Sequence, residues 1–123
     1  MKYLLILLGG GVGSLSRYLI GTAVVTRYGT RFPIVGTMAI NVTGSFLIGI
    51  LMTLITERFG ANRNLHPLLV VGFLGGYTTF SSFEWETYSV IRNGGFWVGI
   101  FNIVGSVTLG YAAVWLGATL SRR

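Results

Sequence analysis

Between Gly72 and Glu86 an otherwise apolar stretch gathers three glycines, four aliphatic hydroxyls and two carboxylates. Lipid supplies no hydrogen-bond partners, so backbone released from a helix at membrane depth must face protein or a water-filled cavity. Gly75 and Gly76 each weaken a helix by about 1 kcal/mol relative to alanine. The hydroxyls of Thr78 and Thr79 can bond the backbone that a break would release. Carbonyl oxygens from Gly75 through Thr78 would then be free to hold a small hard cation by oxygen alone. A glycine-packed but continuous helix fits the same residues. Downstream, Phe80 and Phe83 are three apart and share a face, while Thr79, Ser82 and Glu86 fall on a neighbouring polar face. An aromatic ring has a positive edge, so this pair could attract a small anion; ordinary packing is the plainer role.

Other polar residues lie at helix-interior positions. Arg17 interrupts the first apolar run, where a guanidinium costs about 2.5–3.5 kcal/mol on insertion scales. It either snorkels to the membrane surface or draws anions into a vestibule. Thr37, Asn41 and Ser45 recur every four residues and form a stripe. Asn41 either lines a pore with its two amide donors or hydrogen-bonds to another helix. Asn102 and Ser106 are one turn apart and could continue a donor track, which stops at Gly110 and Val114. Glu57, Glu84 and Glu86 are the three acids. The last two follow the proposed break and fit a place near a membrane end.

These residues need a scaffold, and the composition specifies which kind. The chain has 123 residues, 52% hydrophobic and 10% charged, against about 25% charged in soluble domains. So short and apolar a chain cannot hide its hydrophobic surface in one soluble core, which points to an all-α membrane protein. Four apolar runs, about Lys2 to Thr26, Pro33 to Thr56, Pro67 to Val90 and Gly95 to Leu120, each approach the roughly 20 residues that cross a bilayer. Pro33 and Pro67 suit helix starts, where a missing N–H costs nothing. The connections, Arg27 to Phe32, Glu57 to His66 and Ile91 to Gly94, leave room for one domain, residues 1–123. The opening run lacks a small-residue cleavage site and reads as a span rather than a signal peptide. The net charge is +6, and the basic residues cluster at run ends, which suggests headgroup anchoring rather than nucleic acid. No cysteine is present, so disulfides and thiolate metal sites are excluded. His66 reads as an interfacial residue, and no nucleophile–base pair or nucleotide loop suggests an enzyme.

Four spans put both termini on one side, with Lys2, Arg58, Arg63, Arg122 and Arg123, against Arg27, Arg31 and Arg92 opposite. Five against three is too even to fix an orientation. Four helices seldom enclose a pathway alone, and oligomers are usually symmetric. An antiparallel homodimer with dual topology satisfies both points. Glycines and serines in the first, second and fourth runs permit close helix approach.

Three segments, Gly9-Gly10-Gly11-Val12-Gly13-Ser14-Leu15-Ser16-Arg17-Tyr18, Asn41-Val42-Thr43-Gly44-Ser45-Phe46 and Gly72 through Phe83, together resemble the Fluc fluoride channel family, also called CrcB. The resemblance covers nearly the whole chain. It implies a passive fluoride channel of the bacterial inner membrane, an antiparallel dual-topology homodimer with two pores that protects against cytoplasmic fluoride. It implies a central structural sodium ion held by backbone carbonyls, by position those of Gly75 and Thr78. It assigns the pore phenylalanines to Phe80 and Phe83, the pore asparagine to Asn41, the polar track to Thr79, Ser82 and Ser106, and the vestibule arginine to Arg17. The chain departs from the pattern at Asn102, where some members carry tyrosine, and at Gly110 and Val114, where some carry hydroxyls.

The residues and the resemblance lead to one mechanism. Fluoride is small and strongly hydrated, so a pore must replace its water with donors such as the Asn41 amide and the Thr79 and Ser82 hydroxyls. A small multidrug exporter would be another short four-span dimer, but its pattern has a glutamate in the first span, where this chain has Arg17. A non-transporting packing subunit is the third reading.

Overall fold

In the computed structural model, residues 1–29, 33–59 and 64–122 are described. Among them the chain is helical, without strands. The first helix, α1, is Lys2–Tyr28, and the second, α2, is Pro33–Glu57. A wide π-helical stretch, His66–Leu74, continues into one α-turn, Gly75–Tyr77; together they form α3. After two extended residues come α4, Phe80–Arg92, and α5, Phe96–Ser121. Helix ends lie within about two residues of the boundaries expected from hydropathy, the usual uncertainty of a helix end. Arg31, Arg63 and Arg123, used in the charge comparison, lie outside the described residues.

The helices α1, α2 and α5 are each long and apolar enough to cross a membrane. The third segment is not one continuous helix. Its interruption is three residues beyond Gly75, the point at which sequence suggested it would start. Gly75 is ordinary right-handed helix, with φ −63° and ψ −34°. Extended backbone begins at Thr78 (φ −83°, ψ 156°) and continues through Thr79 (φ −149°, ψ 114°).

Glycine decides how closely the helices approach. A Cβ on Gly9 would meet the Leu68 carbonyl oxygen, and one on Gly13 the Phe73 carbonyl oxygen. Helix α1 therefore packs backbone to backbone along α3. The same happens between α2 and α5, where a Cβ on Gly49 would meet the Val114 carbonyl and one on Gly117 the Phe46 carbonyl. Close backbone approach of this kind replaces the hydrophobic driving force that lipid removes. Rising residue numbers along α1 meet rising numbers along α3, and α2 follows α5 likewise. Gly36 of α2 faces Gly21 and Val24 of α1, so those two helices run oppositely. The buried core is small: Ile40, Leu74 and Tyr77, with Phe73 stacked on Tyr77 at 5.7 Å. Most large apolar side chains of α1 and α5 face outward.

At one end of the bundle Arg122 Nε meets Glu57 Oε1 at 3.2 Å. Both side chains are well exposed, so the pair contributes little stability. It does mark the last turns of α2 and α5 as neighbours.

Candidate functional site

The break at Thr78 and Thr79 is built from its own backbone outward. Leu74 O accepts from Thr78 N at 3.0 Å and from Thr78 Oγ1 at 2.9 Å. In a continuous helix Thr79 N would take Gly75 O. Here it goes instead to Asn41 Oδ1 at 2.9 Å, while Asn41 Nδ2 donates to Thr79 O at 3.0 Å. One amide side chain from α2 thus replaces the acceptor that Thr79 N has lost and adds a donor to Thr79 O, which as the N-cap carbonyl already takes the first bond of α4. The reciprocal pair also fixes the amide orientation, since a flipped Asn41 would set donor against donor. One Nδ2 hydrogen is left over, because the group has two.

Thr79 then starts α4. Its Oγ1 accepts from Ser82 N at 3.3 Å, a threonine N-cap. It also donates to Ser82 Oγ at 3.0 Å. Four residues on, Glu86 Oε1 accepts from Thr37 Oγ1 at 2.7 Å, while its buried Oε2 has no partner among the described residues. Two observations therefore tie the stripe Thr37, Asn41 and Ser45 to the third segment: Thr37 reaches Glu86, and Asn41 reaches Thr79.

Two cavities flank the break. The first, about 410 Å³, is lined by Asn41, Ser45, Gly75, Thr78, Phe80, Phe83 and Ser106 among others. The second, about 460 Å³, is lined by Ser14, Arg17, Thr37, Ser82 and Glu86 among others. Thr79 lines both. Arg17 is half-buried in α1 and has no hydrogen bond or ion pair among the described residues.

The two rings lie 5.7 Å apart between centroids and tilt by 41°. Their surroundings differ sharply. Phe83 is buried, whereas Phe80 is 74% exposed on the single chain. Both residues line the first cavity.

All nine residues to which the resemblance assigned a role, Arg17, Asn41, Gly75, Thr78, Thr79, Phe80, Ser82, Phe83 and Ser106, line at least one of these cavities. Asn102 lines neither. It is 1% exposed, the most deeply buried large side chain described. Its Nδ2 donates to Thr87 Oγ1 at 2.8 Å, and its Oδ1 accepts from Ser106 Oγ at 3.3 Å. Thr87, which sequence reasoning passed over, donates onward to Phe83 O at 2.7 Å. Its signal was present: Thr87 lies one turn after Phe83 on the same face. Tyr77 was missed as well. Its hydroxyl pairs with Thr43 Oγ1 at 2.8 Å, joining α3 to α2 beside the break.

A family model described as CrcB-like protein, Camphor Resistance (CrcB), matches residues 4–118. The chain belongs to the CrcB family. It is 68% identical over 123 residues to the fluoride-specific ion channel FluC of Solibacter usitatus (strain Ellin6076), covering 100% of both chains. It is 46% identical over 124 residues to the protein of the same name from Coxiella burnetii (strain CbuK_Q154), covering 100% of this chain and 99% of that one. The namesake from Hydrogenobaculum sp. (strain Y04AAS1) is 47% identical over 120 residues, or 98% and 97% of the two chains. With its long apolar helices, this CrcB-family chain is a multi-pass protein of the cell inner membrane.

Proposed function

We propose that this chain is a fluoride-selective passive channel, an ion channel and not an enzyme, which lets fluoride leave the cytoplasm down its electrochemical gradient. The observation that carries the reading is Thr79, shared by two cavities that each set several polar side chains into a largely apolar wall, on either side of a broken helix. The names of the relatives support it. The third segment also crosses the bilayer, as two half-helices, which makes four crossings in all, and residues 1–123 act as one transmembrane domain.

On this reading Arg17 draws the anion into the second cavity, where a fixed positive charge raises local anion concentration. Ser82 and Thr79 exchange their mutual hydrogen bond for the ion. The remaining Nδ2 hydrogen of Asn41 and the Ser106 hydroxyl serve it in the first cavity, beside the edges of Phe80 and Phe83. Larger halides fit these donors poorly.

The exposure of Phe80 supports a partner subunit, since an aromatic pore wall open to lipid would leave the first cavity unsealed. The reading is an antiparallel dual-topology homodimer with two pores. A structural sodium ion fits the break. Gly75 O has lost the Thr79 N–H that a helix would supply, and both Gly75 and Thr78 line the first cavity. Backbone carbonyls are suitable ligands for a hard cation. Gly75 and Thr78 would hold it, and its charge would offset repulsion between anions.

Arg17 in α1, a helix without an acid, disfavours a proton-coupled multidrug exporter. Efflux from liposomes holding purified protein tests the proposal. The expected result is rapid fluoride loss with negligible chloride loss and no dependence on a proton gradient. Proton-driven movement of an organic cation would overturn it in favour of the exporter. Equal loss of both halides would remove selectivity.

A further inference from the structure

The hydrogen bond from Ser106 to Asn102 has a direction, and the direction matters for anion binding. A serine hydroxyl has one proton. In this structure Ser106 gives it to Asn102 Oδ1, so at Ser106 the first cavity meets oxygen lone pairs rather than a donor. An anion needs the opposite. At 3.3 Å the bond is long for a hydroxyl donor, whose usual distance is about 2.7–2.8 Å, and is correspondingly weak. Asn102 itself has little freedom to follow. It is buried, and its amide is held by Thr87, which is in turn anchored on Phe83 O. The relay therefore ends on the backbone of a residue whose ring lines the same cavity.

We propose that Asn102 is a positioning residue that parks the Ser106 proton, so that an anion in the first cavity must win it from Asn102 Oδ1. This rests on the fluoride reading above. Asn102 does not touch the ion. It sets how readily Ser106 turns, and hence how tightly the cavity holds fluoride. Thr87 keeps the acceptor fixed, so the competition occurs at a defined place.

A double-mutant cycle with Asn102→Leu and Ser106→Ala tests the coupling. The readout is the fluoride concentration for half-maximal flux, or for half-maximal thermal stabilisation where a variant does not conduct. Removing the competing acceptor is expected to lower that concentration by roughly three- to tenfold, the worth of one neutral hydrogen bond. In the Ser106→Ala background the same Asn102→Leu change is expected to shift it less than about twofold. An equal shift in both backgrounds, a rise, or no shift in either would overturn the proposal. Asn102→Ala carries the same expectation if the leucine variant does not assemble. Should neither variant assemble, Asn102 is a structural strut and the inference falls. Unaltered protein that passes no fluoride would refute the channel reading itself. Fluoride flux without coupling would refute only the role given to Asn102.

Discussion

Thr79 carries three tasks: it lines both cavities, caps α4 and has its backbone clasped by Asn41. Asn41 is consequently structural as well as a candidate donor. Asn41→Leu leaves the Thr79 N–H without a partner, at about 1–3 kcal/mol for a buried group. It is expected to lower thermal stability in detergent as well as abolish flux. Asn41→Asp keeps the acceptor for Thr79 N but loses the donor and adds a half-buried negative charge to the cavity wall, so fluoride flux should fall at least about a hundredfold. Phe80→Ile should separate the two effects. The ring packs little against its own chain, so each subunit should keep its helical content while flux drops about tenfold or more. A Phe80→Ile variant that conducts normally would remove the ring from the pathway. Residue spacing identified the cavity walls well because Thr79, Ser82 and Glu86 are local to one helix. It did not reveal that Asn102 turns inward, since its partner Thr87 comes from a different helix.

Among the elements, the helix pairs depend on bare backbone contact. Gly13→Ala would press a methyl group against the Phe73 carbonyl, which cannot swing aside like a side chain. Overpacking of this kind costs about 1–3 kcal/mol. Gly11→Ala, two residues earlier with open space around it, should be neutral or slightly stabilising. Thermal unfolding of the two variants side by side checks the pairing. If Gly13→Ala is as stable as Gly11→Ala, α1 and α3 are not in backbone contact. The four apolar segments were legible because length and hydropathy are properties of each run alone. The place of the break was read three residues early for a physical reason. Glycine propensity marks where an isolated helix is weakest. The actual interruption is where Asn41, 38 residues distant, offers Thr79 N a replacement acceptor.

For the whole molecule, the account requires two copies inserted in opposite directions. The chain has no cysteine, so a single Lys2→Cys substitution can report orientation cleanly. A membrane-impermeant thiol reagent applied outside intact cells should label about half of the copies, as expected when the charge bias is too small to fix topology. Uniform labelling, or none until the membrane is opened, would indicate one orientation. Replacing sodium throughout purification with a bulky organic cation should impair flux if Gly75 and Thr78 carbonyls hold the ion. Unchanged flux would argue against that ion having a functional role. Selective passive conduction is tested most directly by the zero-current voltage across a bilayer containing the purified protein. With a tenfold fluoride gradient and equal chloride and pH on both sides, the predicted voltage is about 59 mV for a monovalent ion. A tenfold chloride gradient at equal fluoride should give none. A voltage that follows chloride or pH instead would contradict the account.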